Sequence, residues 1–165
     1  MTRRLILMRH AKSSWSDPLA EDHQRPLNDR GRRSARAVGD WLRDKGYLPD
    51  QILSSSSVRT RETCAGLDLE ADKRFLDGLY HASARTMLEV LKQGTGRCVL
   101  MLGHNPGIAW FASELVEHPP QHPRFSDYPT CATLVVDFPI DTWHALHPGS
   151  GRVIDFVIPR ELPGA

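Results

Sequence analysis

Two histidines and two arginines each stand just past a short apolar or hydroxyl-rich run. Arg9-His10 follows Leu5-Ile6-Leu7-Met8, Arg59 follows Ile52-Leu53 and Ser54-Ser55-Ser56-Ser57, and Gly103-His104-Asn105-Pro106 follows Cys98-Val99-Leu100-Met101-Leu102. Guanidinium groups match phosphate oxygens bidentately, and two of them can neutralise the charge that spreads over a phosphoryl group in transfer. A neutral imidazole among them is a competent nucleophile. With Ser56 as helix cap, Arg59 falls in a first helical turn, where a cation opposes the helix dipole and a bound anion would compensate it. His104, just ahead of another helix, sits where backbone N–H groups also favour an anion. Phosphate answers all of these at once.

The elements that must position these residues are readable. The runs Leu5–Met8 and Cys98–Leu102 lack polar alternation, as strands covered on both faces do. From Asp29 to Lys45, Ala35, Val38, Trp41 and Leu42 recur at helical spacing, and Gly46 supplies the stop. Further helices are expected from Ser57 to Ala65, from Ser83 to Lys92, and after Asn105-Pro106, with Asn105 as cap and Pro106 in the first helical position. Late strands are expected near 132–138 and 152–158. The stretch from Glu117 to Pro129, with four prolines, reads as a surface loop. Alternating strand and helix predicts an α/β fold, a three-layer α/β/α sandwich with a mostly parallel central sheet. In such sheets ligands bind beyond the carboxyl ends of the strands, where the four residues converge.

A formal net charge of +1 over 165 residues leaves no long-range field to gather the chain on nucleic acid or an anionic membrane, so neither is an expected partner. Cys64, Cys98 and Cys131 are odd in number and widely spaced, which suits reduced thiols in the cytoplasm. After Thr2-Arg3-Arg4, the apolar run Leu5 to Met8 is too short for a signal-peptide core or a membrane span. No metal or other cofactor is expected: Pro119 and Pro120 break up Glu117, His118 and His122, and His144 with His147 makes only a pair.

Arg9-His10-Ala11, the run Ser55-x-x-x-Arg59-Thr60-x-Glu62-Thr63 and Gly103-His104-Asn105-Pro106 together resemble the histidine phosphatase superfamily, the phosphoglycerate mutase-like fold. Arg9-His10-Ala11-Lys12-Ser13, Leu79-Tyr80, Pro129-Thr130 and the short length resemble its SixA group of phosphohistidine phosphatases. The resemblance spans Arg4 to about Ile158 and implies that 1–165 is a single histidine phosphatase domain. It also implies a covalent phosphohistidine on His10, with Arg9, Arg59 and His104 around the phosphoryl group and Asn105 beside it. Ala11 replaces the usual glycine. Ser16 falls where mutase-type relatives carry a phosphate-contacting asparagine, and is either a contact or part of a solvated turn, as is Lys12. Asp77, in Phe75-Leu76-Asp77-Gly78-Leu79-Tyr80, stands where such relatives place a glutamate acid; a turn aspartate is the other reading. Without an acid, a P–N bond is the expected substrate, carried by a histidine phosphotransfer or carrier protein. The alternatives are a small phosphorylated metabolite cleaved by a phosphomonoesterase or mutase, and a phosphate-dependent binding module without turnover.

Overall fold

The computed structural model describes residues 1–165. In chain order the strands are β1 (Arg3–Arg9), β2 (Gln51–Ser55), β3 (Asp72–Leu76), β4 (Cys98–Gly103), β5 (Thr133–Phe138) and β6 (Arg152–Val157). The helices are α1 (Asp29–Lys45), α2 (Val58–Leu67), α3 (Ala84–Lys92) and α4 (Gly107–Leu115). One sheet results, in the order β3-β2-β4-β1-β5-β6, with β5 alone running against the rest.

Period-two alternation within the apolar strands divides the core between two faces. Leu5 and Leu7 of β1 join Val99 and Met101 of β4 beneath Met87 and Leu91 of α3 and Ile108, Phe111 and Leu115 of α4. Ile6 and Met8 join Leu100 and Leu102 against Ala35, Val38 and Leu42 of α1 and Cys64 and Leu67 of α2. This is the three-layer α/β/α arrangement expected from the sequence. β1 and β2 therefore send their following helices to one face, while β4, lying between them, sends its own to the other. The loops splay apart at the carboxyl end of β4 and leave a crevice.

Several boundaries differ from the sequence expectation. α1 has the expected span, with Asn28 accepting from the Gly31 N–H and Gly46 ending the helix at φ 75°. The cap of α2 is Ser57 rather than Ser56, and its side chain accepts from the Thr60 N–H. Asn105 does not cap α4: Pro106, joined to it by a cis peptide bond, occupies the cap position, and the Asn105 amide is engaged elsewhere. β3 was not expected. Asp72, Lys73 and Arg74 are exposed on the sheet's edge, so no apolar alternation marks them. The 117–129 segment is not a plain surface loop, because Phe125 and Tyr128 are buried in the core and the Tyr128 hydroxyl donates to the Leu7 carbonyl. No helix is long and apolar enough to cross a membrane.

Candidate active site

Strand register brings the candidate residues together. Arg9 of β1 pairs with Gly103 of β4, and Leu102 of β4 with Ser54 of β2, so His10, His104 and Ser55 leave adjacent strand ends side by side. The His10 and His104 rings lie 5.2 Å apart, centroid to centroid. Both line a cavity of about 300 Å³ together with Arg9, Arg59 and Asn105. Arg59, in the first turn of α2, is only 2% exposed.

The other residues of the Ser55–Thr63 run hold this frame. Thr60 Oγ1 donates to the Ser55 carbonyl at 2.7 Å, closing the turn into α2. The Ala11 N–H donates to Thr63 Oγ1 at 3.0 Å, and the Leu27 N–H to Glu62 at 2.8 Å, so α2 secures both ends of the loop that follows β1. Ala11 is fully buried against the α1–α2 face and its methyl is accommodated there.

Hydrogen bonding sets the histidine tautomers. His10 Nδ1 lies 2.7 Å from the Ala11 carbonyl, which can only accept; Nδ1 therefore carries the proton and Nε2 the lone pair. Burial, reinforced by the charges of Arg9, Arg59 and Arg25 and partly opposed by the bond to Ala11, lowers His10 to about 3, so the ring is neutral at ordinary pH. His104 Nδ1 faces Nη2 of Arg59 at 3.4 Å, a donor only, so its proton is on Nε2 and goes to Ser55 Oγ at 2.8 Å. Burial, then His10, Arg59 and His81, lower His104 to about 2 against the opposing charge of Asp22. Arg9 is also pushed below its ordinary value, first by burial and then by Arg59.

Asp22, in the short 3₁₀ turn Asp22–Gln24, is the residue that the sequence did not disclose. Its backbone carbonyl accepts from Arg59 Nη1 at 2.7 Å and its Oδ2 from Nη2 at 3.0 Å. The same Oδ2 accepts from the Tyr80 hydroxyl and from His81 Nε2, and Oδ1 accepts from Arg25 Nε. Burial alone would raise this carboxyl, yet the bonds from Tyr80, His81 and Arg59 hold it well below the usual carboxylate range. Arg25 is itself buried, stacked 3.5 Å above the Trp15 ring and bonded to Ser13 Oγ. His81 reaches Asp22 from a left-handed backbone conformation, φ 50°.

Of the other expected positions, Asn105 and Lys12 line the cavity, beside His81, whereas Ser16 and Asp77 do not. Ser16 is exposed and bonds only to Ser14; Ser13 and Trp15 line the wall instead. Asp77 accepts from Ser56 Oγ, which in turn accepts from His23, so its carboxyl is tied behind the wall. The buried side-chain polar atoms without a hydrogen-bond partner are Arg9 Nε, Arg59 Nε and Asn105 Oδ1, all from residues of this cavity. Unpaired buried donors cost free energy and in native proteins call for a partner. No three His, Cys, Asp or Glu side chains are grouped to hold a metal ion.

Residues 5–79 match the model of the histidine phosphatase superfamily, branch 1. Over 160 residues the chain is 32% identical to the uncharacterized protein Rv1276c of Mycobacterium tuberculosis, covering 93% of this chain and all of the relative. The chain belongs to the histidine phosphatase superfamily. Its architecture is the phosphoglycerate mutase-like fold, and within the superfamily the chain is of the SixA type. A structure from Nakamurella multipartitia described as phosphohistidine phosphatase SixA has a TM-score of 0.83 at 27% identity, over 96% of this chain and 97% of that one. The SixA structure from Agrobacterium tumefaciens has a TM-score of 0.75 at 28% identity, over 95% and 98%.

Proposed function

We propose that the chain is a phosphatase that takes a phosphoryl group onto His10 Nε2 and that its substrate is a phosphohistidine on a protein partner in the cytoplasm. The observation that carries this reading is the pairing of a neutral His10, its lone pair on Nε2, with Arg9 and the buried Arg59, whose buried Nε donors lack partners. The SixA-type relatives support the P–N substrate.

In the first step the Nε2–P bond forms as the substrate's P–N bond breaks. A phosphohistidine whose other ring nitrogen is protonated departs as neutral imidazole. Water then attacks phosphorus, the Nε2–P bond breaks, and inorganic phosphate leaves. The guanidinium groups stabilise the equatorial oxygens throughout, and their charge is what makes the proposed reaction independent of a metal. An alkoxide leaving group would need a proton from an acid. Asp22 is the one carboxyl lining the cavity, and its hydrogen bonds keep it ionised, so ester hydrolysis is disfavoured.

The test offers phosphohistidine peptides and a panel of phosphoesters to the purified chain in chelator and compares kcat/KM. A preference for the P–N substrates is expected, with His10→Ala losing roughly 10³-fold or more of the turnover while still binding phosphate. Preference for an ester, or an active His10→Ala variant, would overturn the reading.

A further inference from the structure

Beside the phosphoryl cavity lies a second one of about 330 Å³, and Arg9, Lys12 and Thr130 line both. Its charged walls come from separated parts of the chain: Lys12 after β1, Arg30 in the first turn of α1, Arg124 and Asp127 ahead of β5, and Arg160 near the end. Counting Arg9, five cations face one carboxylate. That carboxylate is already engaged, since Arg124 Nη2 lies 2.9 Å from Asp127. Lys12, Arg30 and Arg160 enter none of the chain's ion pairs. Arg30 also opposes the dipole of α1. In a chain of net charge +1 this concentration is local, and the mutual repulsion of its members is relieved by an anion.

We infer that this annex holds an acidic side chain of the phosphoprotein that neighbours the phosphohistidine, while the phosphoryl group lies at His10. The inference rests on the phosphatase reading above and adds a selectivity element to it. Shared walls place the second anion on the same substrate molecule as the phosphoryl group. Lys12, Arg30 and Arg160 are exposed, so the annex is an open rim of long side chains, suited to carboxylates offered on a protein surface rather than to a small molecule enclosed on all sides. Such exposed pairs steer and select more than they tighten, and salt weakens them.

The experiment compares two phosphohistidine peptides, one flanked by glutamates and one by glutamines, with phosphoramidate, which has no second anionic group. In low salt the glutamate peptide is expected to have a kcat/KM roughly fivefold higher. The Arg30→Gln/Arg160→Gln variant and 0.5 M salt should each erase the difference, with phosphoramidate turnover by the variant unchanged. Equal rates on both peptides, or an equal loss on phosphoramidate, overturn the inference. So does pyrophosphate inhibiting better than orthophosphate through Arg30 and Arg160 without any glutamate preference, which assigns the annex to a second phosphoryl group. Fluorescence anisotropy with the same peptides reads the annex without turnover. A difference in Kd with no hydrolysis defeats the phosphatase reading alone, and no difference in Kd defeats the annex.

Discussion

The candidate site has two halves held in place by different means. In one, His10, Ser55 and His104 stand on adjacent strand ends whose register is fixed by sheet hydrogen bonds and by apolar packing on both faces. In the other, Arg59, Arg25, Tyr80 and His81 are drawn to a single carboxylate in a short turn. The strand half is as rigid as the core, and displacing it requires disrupting the sheet. The turn half depends on the charge of one residue, which makes it the easier half to perturb without unfolding the protein.

Asp22→Asn is the sharpest way to separate the two. The substitution keeps the shape and removes the charge, so Arg59 should lose its alignment while the fold persists. A misplacement on the scale of an ångström costs on the order of 10²-fold in rate, and kcat should fall by about that much while the circular dichroism of the folded protein is retained. Wild-type kinetics in this variant would show that the strand half orients Arg59 unaided.

Acid should strain the halves at different pH. An unfolded chain protonates His10 and His104 near 6.5, whereas the folded rings resist until about 3 and about 2. Between these limits the unfolded state binds more protons, so stability falls as pH is lowered from 6.5 toward 3, by at most about 1.4 kcal/mol per pH unit for each histidine. Asp22, held below its ordinary value, contributes stability above the unfolded aspartate range and loses it only as pH drops below about 4. Thermal melts from pH 7 to 3 should thus show an early loss that His104→Asn roughly halves, and a later one that Asp22→Asn removes. A flat Tm down to pH 4 would mean that the folded histidines are charged.

The smallest effect is expected at Asp77. Its carboxyl is tied to Ser56 outside the cavity, so Asp77→Asn should change kcat/KM by less than about threefold, within what one hydrogen bond away from the reacting atoms allows. A larger loss would bring Asp77 into the chemistry after all.

What could be read from the sequence follows the same division. His10, Arg59 and His104 are legible because each is anchored to an element with its own signature: an apolar run for β1 and β4, and a serine run that caps α2. Asp22 carries no such mark. Its partners lie 37, 58 and 59 residues away, at Arg59, Tyr80 and His81, and only the folded chain brings them together. Ser16 lies in a loop with no periodicity to fix its register against mutase-type relatives, and the wall is formed by Ser13 and Trp15 instead. Tyr128 was hidden among prolines and charges, where composition signals exposure although its ring completes the core. β3 carries no apolar pattern for the converse reason, being a strand whose side chains mostly face water.

The reversed direction of β5 means that the chain enters this strand, rather than leaving it, at the edge where the site lies. Tyr128 thereby places its carbonyl on Arg9 and Asn105, and Thr130 reaches the cavity wall. The approach to β5 can thus be lengthened or shortened without touching any crossover of the sheet. One reversed strand gives the molecule a wall of adjustable height beside a fixed reaction centre.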